Sequence, residues 1–259
     1  MKIVSMGDQI RPGLYLVHSR FARSVLLFHD AGDALFVVDR AIGGGPLNLV
    51  VADPAVSAAA ETLDIPRLLK APRFDSSMPK LEEDGRMRLR TLLETALPRH
   101  APPDSLVSLF APAKKLPRPQ LARDELFRQA FAHFANQRLD KGAHLIRGCG
   151  AGLTPAGDDF LCGMMLACRL RRNWAMAQTL LRHALGQNLV SNAFLKMAAK
   201  GCVNVAVQRL LQAPTDAAVK KVCAFGHSSG ADLLCGLLWG LGGSPVSGAP
   251  PRGRATPQP

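Results

Sequence analysis

A short internal repeat places the strongest constraint on how this 259-residue chain folds. When the sequence is shifted by 73 residues, GDDFLCG at 157–163 falls on GADLLCG at 230–236, with five of the seven positions identical. Repeats within a chain usually mark repeated supersecondary units, so we predict two equivalent helices at these places. Both are almost wholly apolar and should therefore be buried. Gly163 and Gly236 hold equivalent positions and, having no side chains, would let the two helices approach closely.

The segments before the two predicted helices are rich in Gly, Ser and Thr. In the first segment Thr154 precedes Pro155, which predicts a helix N-cap followed by proline at the first helical position. In the second segment, Ser228 or Ser229 is the predicted N-cap. Helix N-termini carry free N–H groups and a partial positive charge, so both entrances favour anions. The predicted substrate-binding residues are Gly152, Thr154, Gly157, Asp158, Ser228, Ser229 and Gly230.

Three carboxylates, Asp158, Asp159 and Asp232, fall in the first turns of these helices. One interpretation is internal capping of the helices. The other is a buried pocket, in which the carboxylates accept hydrogen bonds from a ligand NH2 group while nearby N–H groups donate to ligand oxygens, as suits a small amide or carbamoyl compound. We predict Asp159 and Asp232 as catalytic residues. We expect no cofactor, and a divalent metal ion at the three carboxylates stays open.

His227 lies on a Gly/Ser-rich loop, and we predict it as a third catalytic residue that moves a proton. A capping or hydrogen-bonding role is the alternative. The surrounding GHSSG at 226–230 matches the G-x-S-x-G pattern of serine hydrolases. In hydrolases of that fold the histidine follows the nucleophile, whereas no histidine follows His227 in this chain. The serine-hydrolase interpretation is therefore rejected.

The first half of the chain has the pattern of a β-rich unit. Predicted strands cover 14–18, 24–29, 35–39, 47–52 and 106–110, and predicted helices cover 55–63 and 86–97. The turn sequence DAGD at 30–33 predicts a hairpin between the second and third strands. A Pro-rich stretch at 111–119 is the predicted boundary with the part that follows.

The second half is predicted to be helical. An amphipathic helix over 121–139 is followed by helices over 157–172, 174–185, 189–212, 215–224 and 230–241. We therefore predict an α+β fold, with a β-rich N-terminal half and a mainly α-helical C-terminal half that contains the repeated Gly-Asp loop and helix. The predicted divisions are a β-rich domain at 1–118, a helical domain at 119–243 and a disordered tail at 244–259.

Composition restricts the classes of function. Hydrophobic residues make up 47% of the chain, yet no run approaches the roughly 18 apolar residues of a membrane helix. We expect no secretory signal, and the six cysteines form no C-x-x-C pair, which favours reduced thiols and a cytoplasmic protein. The net charge of +12 is scattered, with one Tyr and two Trp available for base stacking. We predict a generic basic surface that favours anionic substrates, with no nucleic-acid or membrane partner.

Two motifs, GLTPAGDDFL at 152–161 and GHSSGADLL at 226–234, resemble a family long labelled a domain of unknown function. QNLVSN at 187–192 is similar to the helix start between the family's two motifs. The family includes one subunit of the oxamate carbamoyltransferase of allantoin degradation, a branch of purine catabolism. The resemblance implies a transferase that moves a carbamoyl group between phosphate and oxamate in an assembly of several different subunits. A non-catalytic partner subunit and a small-molecule binding module are the alternatives.

Overall fold

The computed structural model describes residues 2–53, 61–67, 70–111 and 117–244. Within these residues one seven-stranded sheet has the order β6-β2-β3-β4-β5-β1-β7. The strands are β1 (Ile3–Gly7), β2 (Gly13–Phe21), β3 (Ser24–His29), β4 (Ala34–Val38), β5 (Asn48–Val51), β6 (Thr62–Ile65) and β7 (Arg73–Phe74). The predicted strands at 14–18, 24–29, 35–39 and 47–52 are confirmed as β2 to β5.

The predicted hairpin joins β3 and β4, which pair antiparallel from Ser24 opposite Val38 to Phe28 opposite Ala34. β1, β6 and β7 are strands that the pattern did not predict. The predicted helix at 55–63 lies mostly outside the described residues, and its last two positions belong to β6.

Helices follow the sheet in the chain, so the α+β prediction is confirmed. The helices among the described residues are α1 (Glu83–His100), α2 (Arg118–Ala135), α3 (Leu139–Ile146), α4 (Ala156–Leu170), α5 (Trp174–Ala184), α6 (Leu189–Lys200), α7 (Val205–Gln212), α8 (Asp216–Cys223) and α9 (Ser229–Gly240). Over the described residues, no helix has the length and apolar character needed to cross a membrane.

Three predicted elements are wrong. The strand predicted at 106–110 is a 3₁₀ turn, Leu106–Leu109, because a short apolar run does not distinguish a strand from a buried helical turn. The helix predicted at 189–212 ends at Gly201, whose φ of 79° is left-handed, and a new helix begins after Asn204. The helix predicted at 121–139 ends at Ala135, and the separate helix α3 begins at Leu139.

One face of the sheet packs against α6. Leu26, Phe36 and Val50 of the sheet share a buried cluster with Val190 and Met197 of the helix. The helix α1 precedes the predicted boundary at 118, yet its buried leucines belong to the same core as α4 and α9. The division at 118 stays a prediction, and residues 112–116 of the predicted joint and 245–259 of the predicted tail lie outside the described residues.

Two buried helices, α4 and α9, form the centre of the helical part, as the repeat predicted. A Cβ atom added to Gly163 would lie 2.0 Å from the carbonyl oxygen of Leu233. A Cβ added to Gly236 would lie 2.0 Å from the carbonyl oxygen of Phe160. The two contacts are related by the same shift of 73 residues, and such reciprocity is the mark of a two-fold relation. Further along, Gly240 meets its equivalent Ala167, so the helices run parallel.

The repeated unit also includes the short helix before each of these two. The N–H of Cys149 donates to the last residue of α3, Ile146, at 2.9 Å, and that of Phe225 donates to Val222 of α8 at 3.0 Å. The carbonyl oxygen of Cys149 then accepts from the N–H of Gly157 in α4 at 2.9 Å. In the same way, the carbonyl oxygen of Phe225 accepts from the N–H of Gly230 in α9 at 3.1 Å. Each unit is therefore an eight-residue helix, a tight turn and a buried helix. The first connecting loop is longer than the second.

We predict that Gly163→Ala and Gly236→Ala will each lower the free energy of unfolding by about 3 kcal/mol or more, because the added methyl group collides with backbone that has little freedom to move. Gly85→Ala is the matched control, since a Cβ at this helical glycine of α1 meets only Leu81, at 3.6 Å. That change should be neutral or stabilising by up to about 1 kcal/mol. Urea unfolding measures all three variants. Equal effects at Gly163 and Gly85 would contradict the close helix contact.

Candidate functional site

The structure brings the two helix entrances together. We call residues 147–155, before α4, the first entrance loop and residues 224–228, before α9, the second entrance loop. The Thr154 hydroxyl in the first loop and the Ser229 hydroxyl at the start of α9 are hydrogen-bonded at 2.8 Å. This bond joins segments 75 residues apart, and it follows from the parallel packing of the two helices.

The predicted capping role of Thr154 is wrong. Pro155 occupies the N-cap position of α4, and no side chain caps that helix. The Thr154 hydroxyl bonds to Ser229 of the other unit instead of to its own helix. Ser228 does occupy the N-cap position of α9, but its side chain makes no capping bond to the backbone. Its hydroxyl instead lies close enough to Asp232 to lower the pKa of that carboxyl group.

Asp159 is a buried carboxyl without a hydrogen bond at one oxygen. It is 7% exposed, and its Oδ2 has no hydrogen-bond partner within the described structure. Burial raises the pKa of Asp159 well above its usual range, and the neighbouring charge of Asp232 adds to the effect. The Ser229 and Thr154 hydroxyls lie near enough to lower this pKa, but the bond of normal geometry is the one they make to each other. The neutral carboxyl is therefore favoured, and it is able to donate a proton in a hydrogen bond.

Asp232, the equivalent residue, connects α9 to the 3₁₀ turn. Its Oδ1 accepts a hydrogen bond from the N–H of Leu106 at 2.7 Å. The side chain is fully buried, and burial raises the pKa of Asp232 to about 6, although the Leu106 bond lowers it. The Oδ2 atom is also buried without a hydrogen bond of normal geometry. Asp232 therefore has a capping role on an element other than its own helix.

Asp158 and the first glycine of each repeat, Gly157 and Gly230, make hydrogen bonds within the protein. Asp158 is buried, and its Oδ1 accepts from the N–H of Gly148 at 2.7 Å. The N–H groups of Gly157 and Gly230 donate to Cys149 and Phe225. A substrate-binding role for these three residues stays a prediction. In the described ranges no three His, Cys, Asp or Glu side chains form a group that could hold a metal ion, and the three carboxylates are no exception.

His227 lies at the surface and not among the buried carboxylates. Its side chain is 83% exposed, and its Nε2 lies 2.5 Å from Oδ2 of Asp104. Asp104 comes from the loop just before the 3₁₀ turn, so the turn that contacts Asp232 also holds a partner for His227. Gly152 is exposed in the first entrance loop, with a left-handed φ of 104°. Both residues are therefore exposed to solvent.

An arginine that the sequence patterns did not indicate fixes this turn. Arg123 of α2 donates to the carbonyl oxygens of Asp104 at 2.5 Å and Ser105 at 3.0 Å, and its guanidinium pairs with Asp124 at 3.0 Å. Asp124 is fully buried and accepts from the Ser108 hydroxyl at 2.6 Å. The positive charge of Arg123 also lowers the pKa of Asp232. The available signal was a carboxylate, Asp124, on the apolar stripe of an amphipathic helix.

Comparison with known proteins finds a family similarity in the second half of the chain. The family model described as oxamate carbamoyltransferase subunit AllH matches residues 146–241. This segment begins at the last residue of α3 and ends just after α9, so it contains both entrance loops and the buried helix pair. The predicted resemblance is confirmed over that segment. No curated protein and no solved structure matches the chain.

The buried Asp232 generates a prediction about pH. Its pKa is raised from 3.8 to about 6 on folding, so the folded protein holds this proton more tightly than the unfolded chain does. The contribution to stability is therefore complete below about pH 4 and is lost as the pH rises through about 6, a change on the order of 3 kcal/mol. Asp232→Asn does not titrate and still offers an oxygen to Leu106. Its stability relative to the wild type should increase by about that amount between pH 4 and pH 7.

Urea unfolding over this pH range measures the difference between the two proteins. Asp140→Asn is the control, because Asp140 is an exposed carboxylate in the first turn of α3. The control should follow the wild type at every pH. If the difference in the free energy of unfolding between Asp232→Asn and the wild type stayed constant with pH, it would contradict a raised pKa of Asp232 in the folded protein.

Proposed function

We propose that this chain is a subunit of a carbamoyl-transferring enzyme of the oxamate and carbamoyl phosphate type, and that its entrance loops bind a small carboxylate or amide. The family match supports the proposal because it covers the two loops and the helices behind them. The observation that carries it is the unpartnered Oδ2 of Asp159, buried at the place where the two loops meet. A buried polar atom without a partner costs about 1–3 kcal/mol, and such costs are typical of functional sites.

The parallel helix pair sets the electrostatics of this site. Two helix N-termini lie side by side, and their partial positive charges favour a ligand with a carboxylate or phosphate group. A neutral Asp159 does not repel such a ligand, and its proton can be donated to a carbonyl or carboxylate oxygen. In its ionised form the same side chain accepts from a ligand amino group. This combination suits oxamate, which has a carboxylate and an amide.

Ligand contacts in this proposal come from hydroxyl groups and loop backbone. The N–H groups of Gly157 and Gly230 already donate within the protein, so they are not the principal donors to substrate. Thr154 and Ser229 have hydroxyls that are half-buried and can exchange their mutual bond for bonds to a ligand. Ser228 and Gly152 flank them on the two loops. Donors fixed in this way would stabilise charge that develops on a carbonyl or phosphate oxygen during transfer.

His227 has a separate role in the proposal. Asp104 orients its imidazole, and the ring moves a proton to or from the group that accepts the carbamoyl moiety. Its exposed position requires another surface to exclude water from the reaction. Other subunits of the assembly supply that surface, in agreement with the word "subunit" in the family description. A cytoplasmic location and a place in allantoin degradation accompany this function.

A structural role is the second candidate, and the bond from Leu106 to Asp232 favours it for that residue. In this version the chain supports a catalytic partner and the loops only close the helix pair. Calorimetry of the chain with oxamate alone tests a third version, a binding module. Binding with no turnover in the complete assembly would support that version and overturn the proposed enzyme.

The test is the variant Asp159→Ala in the complete assembly, purified with the proteins that are co-expressed from neighbouring genes. The release of phosphate measures the transfer of the carbamoyl group from carbamoyl phosphate to oxamate. We predict that kcat falls by about 100-fold or more, as after the loss of one oxyanion donor. The free energy of unfolding should stay within about 1 kcal/mol, because one of the two deleted oxygens, Oδ2, is buried without a hydrogen-bond partner, and removing this unfavourable group offsets the small cavity that the side chain leaves.

Asp140→Ala is the matched control and should leave kcat unchanged, since this first-turn carboxylate of α3 is exposed. Full turnover in Asp159→Ala would overturn the catalytic role of Asp159. A parallel loss of stability and activity would instead identify Asp159 as a structural residue.

A further inference from the structure

A cleft of about 270 Å³ lies where the sheet meets α5 and α6, away from the entrance loops. Its polar lining comes from the β1–β2 loop, the β3–β4 turn and the two helices. These polar and charged residues are Gln9, Arg11, Asp33, Gln178, Lys196 and Lys200. Clefts between structural units are common positions for small-molecule sites.

Positive charge is concentrated in this cleft. Lys196 and Lys200 are one turn apart on α6, and Arg11 faces the same space from the β1–β2 loop. Asp33 is the one carboxylate in the lining, and it pairs with Arg11 at 3.1 Å. Lys196 makes no ion pair or hydrogen bond to any residue that the structure describes. Like charges one turn apart on a helix repel each other, so an anion between them would relieve an unfavourable contact.

The loop that contributes Gln9 and Arg11 is held in place before any ligand binds. The Tyr15 hydroxyl donates to the carbonyl oxygen of Arg11 at 3.0 Å, and the N–H of Gln9 donates to Pro46 at 3.1 Å. The Lys200 ammonium donates to Oε1 of Gln9 at 3.1 Å, which links the loop to α6. A site whose groups are already positioned loses less entropy on binding.

We propose that this cleft binds a compact organic dianion that also has an O–H or N–H donor. The three cations and one carboxylate leave two positive charges to be balanced. Asp33 and the two glutamine amides can accept from the ligand donor. Leu47 and Met197 provide an apolar wall for a short carbon chain. The volume equals that of about nine water molecules, so the ligand has roughly ten non-hydrogen atoms at most.

This site is separate from the one proposed for carbamoyl transfer. The Arg169 guanidinium, in the last turn of α4, donates to the carbonyl oxygen of Lys200 at 2.8 Å. Asp159 lies in the first turn of the same helix, about 15 Å away along the helix axis. A dianion in the cleft would bridge the sheet and α6, so its binding stabilises the junction between them.

Calorimetry and thermal unfolding at low ionic strength test the inference, with malate, succinate and inorganic phosphate as the probes. Malate should bind with a Kd of about 1 mM or below and raise the unfolding temperature. Succinate lacks the hydroxyl donor and should bind more weakly. The double variant Lys196→Ala, Lys200→Ala should weaken malate binding by about tenfold or more, because two charge-assisted contacts are lost. If phosphate binds and the same double variant weakens its binding about tenfold, a phosphoryl group would be supported as the source of the negative charge of the ligand.

Lys221→Ala is the matched control, because Lys221 is an exposed helical lysine of α8 outside the cleft. It should leave the Kd of malate unchanged. An equal loss in Lys221→Ala would show diffuse attraction to a basic surface and overturn the site, as would no binding of any of the probes. Asp159→Ala should not alter malate binding, so failure of the transfer proposal and failure of this one are distinguishable. Malate and succinate binding with equal affinity would contradict the donor requirement.

Discussion

The backbone contact between α4 and α9 is the constraint on which the rest of the structure depends. Gly163 and Gly236 let each helix lie against the carbonyl oxygens of the other, with no side chain between them. Because the helices are parallel and this close, the loops that enter them meet at one end, where Thr154 and Ser229 share a hydrogen bond. A methyl group at either glycine would separate the helices and pull that end apart.

The same geometry places acidic side chains next to two helix ends that carry partial positive charge. Two helix N-termini placed side by side concentrate partial positive charge, and three aspartates lie in their first turns. Asp158 accepts from Gly148 and Asp232 accepts from Leu106, so these two hold neighbouring segments in place. Asp159 has an oxygen without such a bond, and burial favours its neutral form. The repeat is therefore symmetric in helix packing, whereas its two equivalent aspartates, Asp159 and Asp232, differ in their hydrogen bonds.

The repeat and the α+β order could be predicted because they depend on local patterns and on glycine positions. The close approach at Gly163 followed from an identity between two segments of the sequence. The bond from Leu106 to Asp232 spans 126 residues, and no local pattern indicates such a pair. For the same reason Arg123 was not identified, although Asp124 beside it was visible as a carboxylate on an apolar stripe. Long-range hydrogen bonds and ion pairs position these side chains, and local periodicity carries no information about such contacts.

Engineered cross-linking of the two loops tests the central geometry most directly. Thr154→Cys and Ser229→Cys place thiols where the two hydroxyl oxygens are 2.8 Å apart, within reach of a disulfide. After mild oxidation, peptide mapping by mass spectrometry should find the 154–229 disulfide as the main new cross-link. It should be absent when Ser229→Cys is combined with wild-type Thr154. No cross-link between these positions in a folded double variant would contradict the convergence of the two helix entrances.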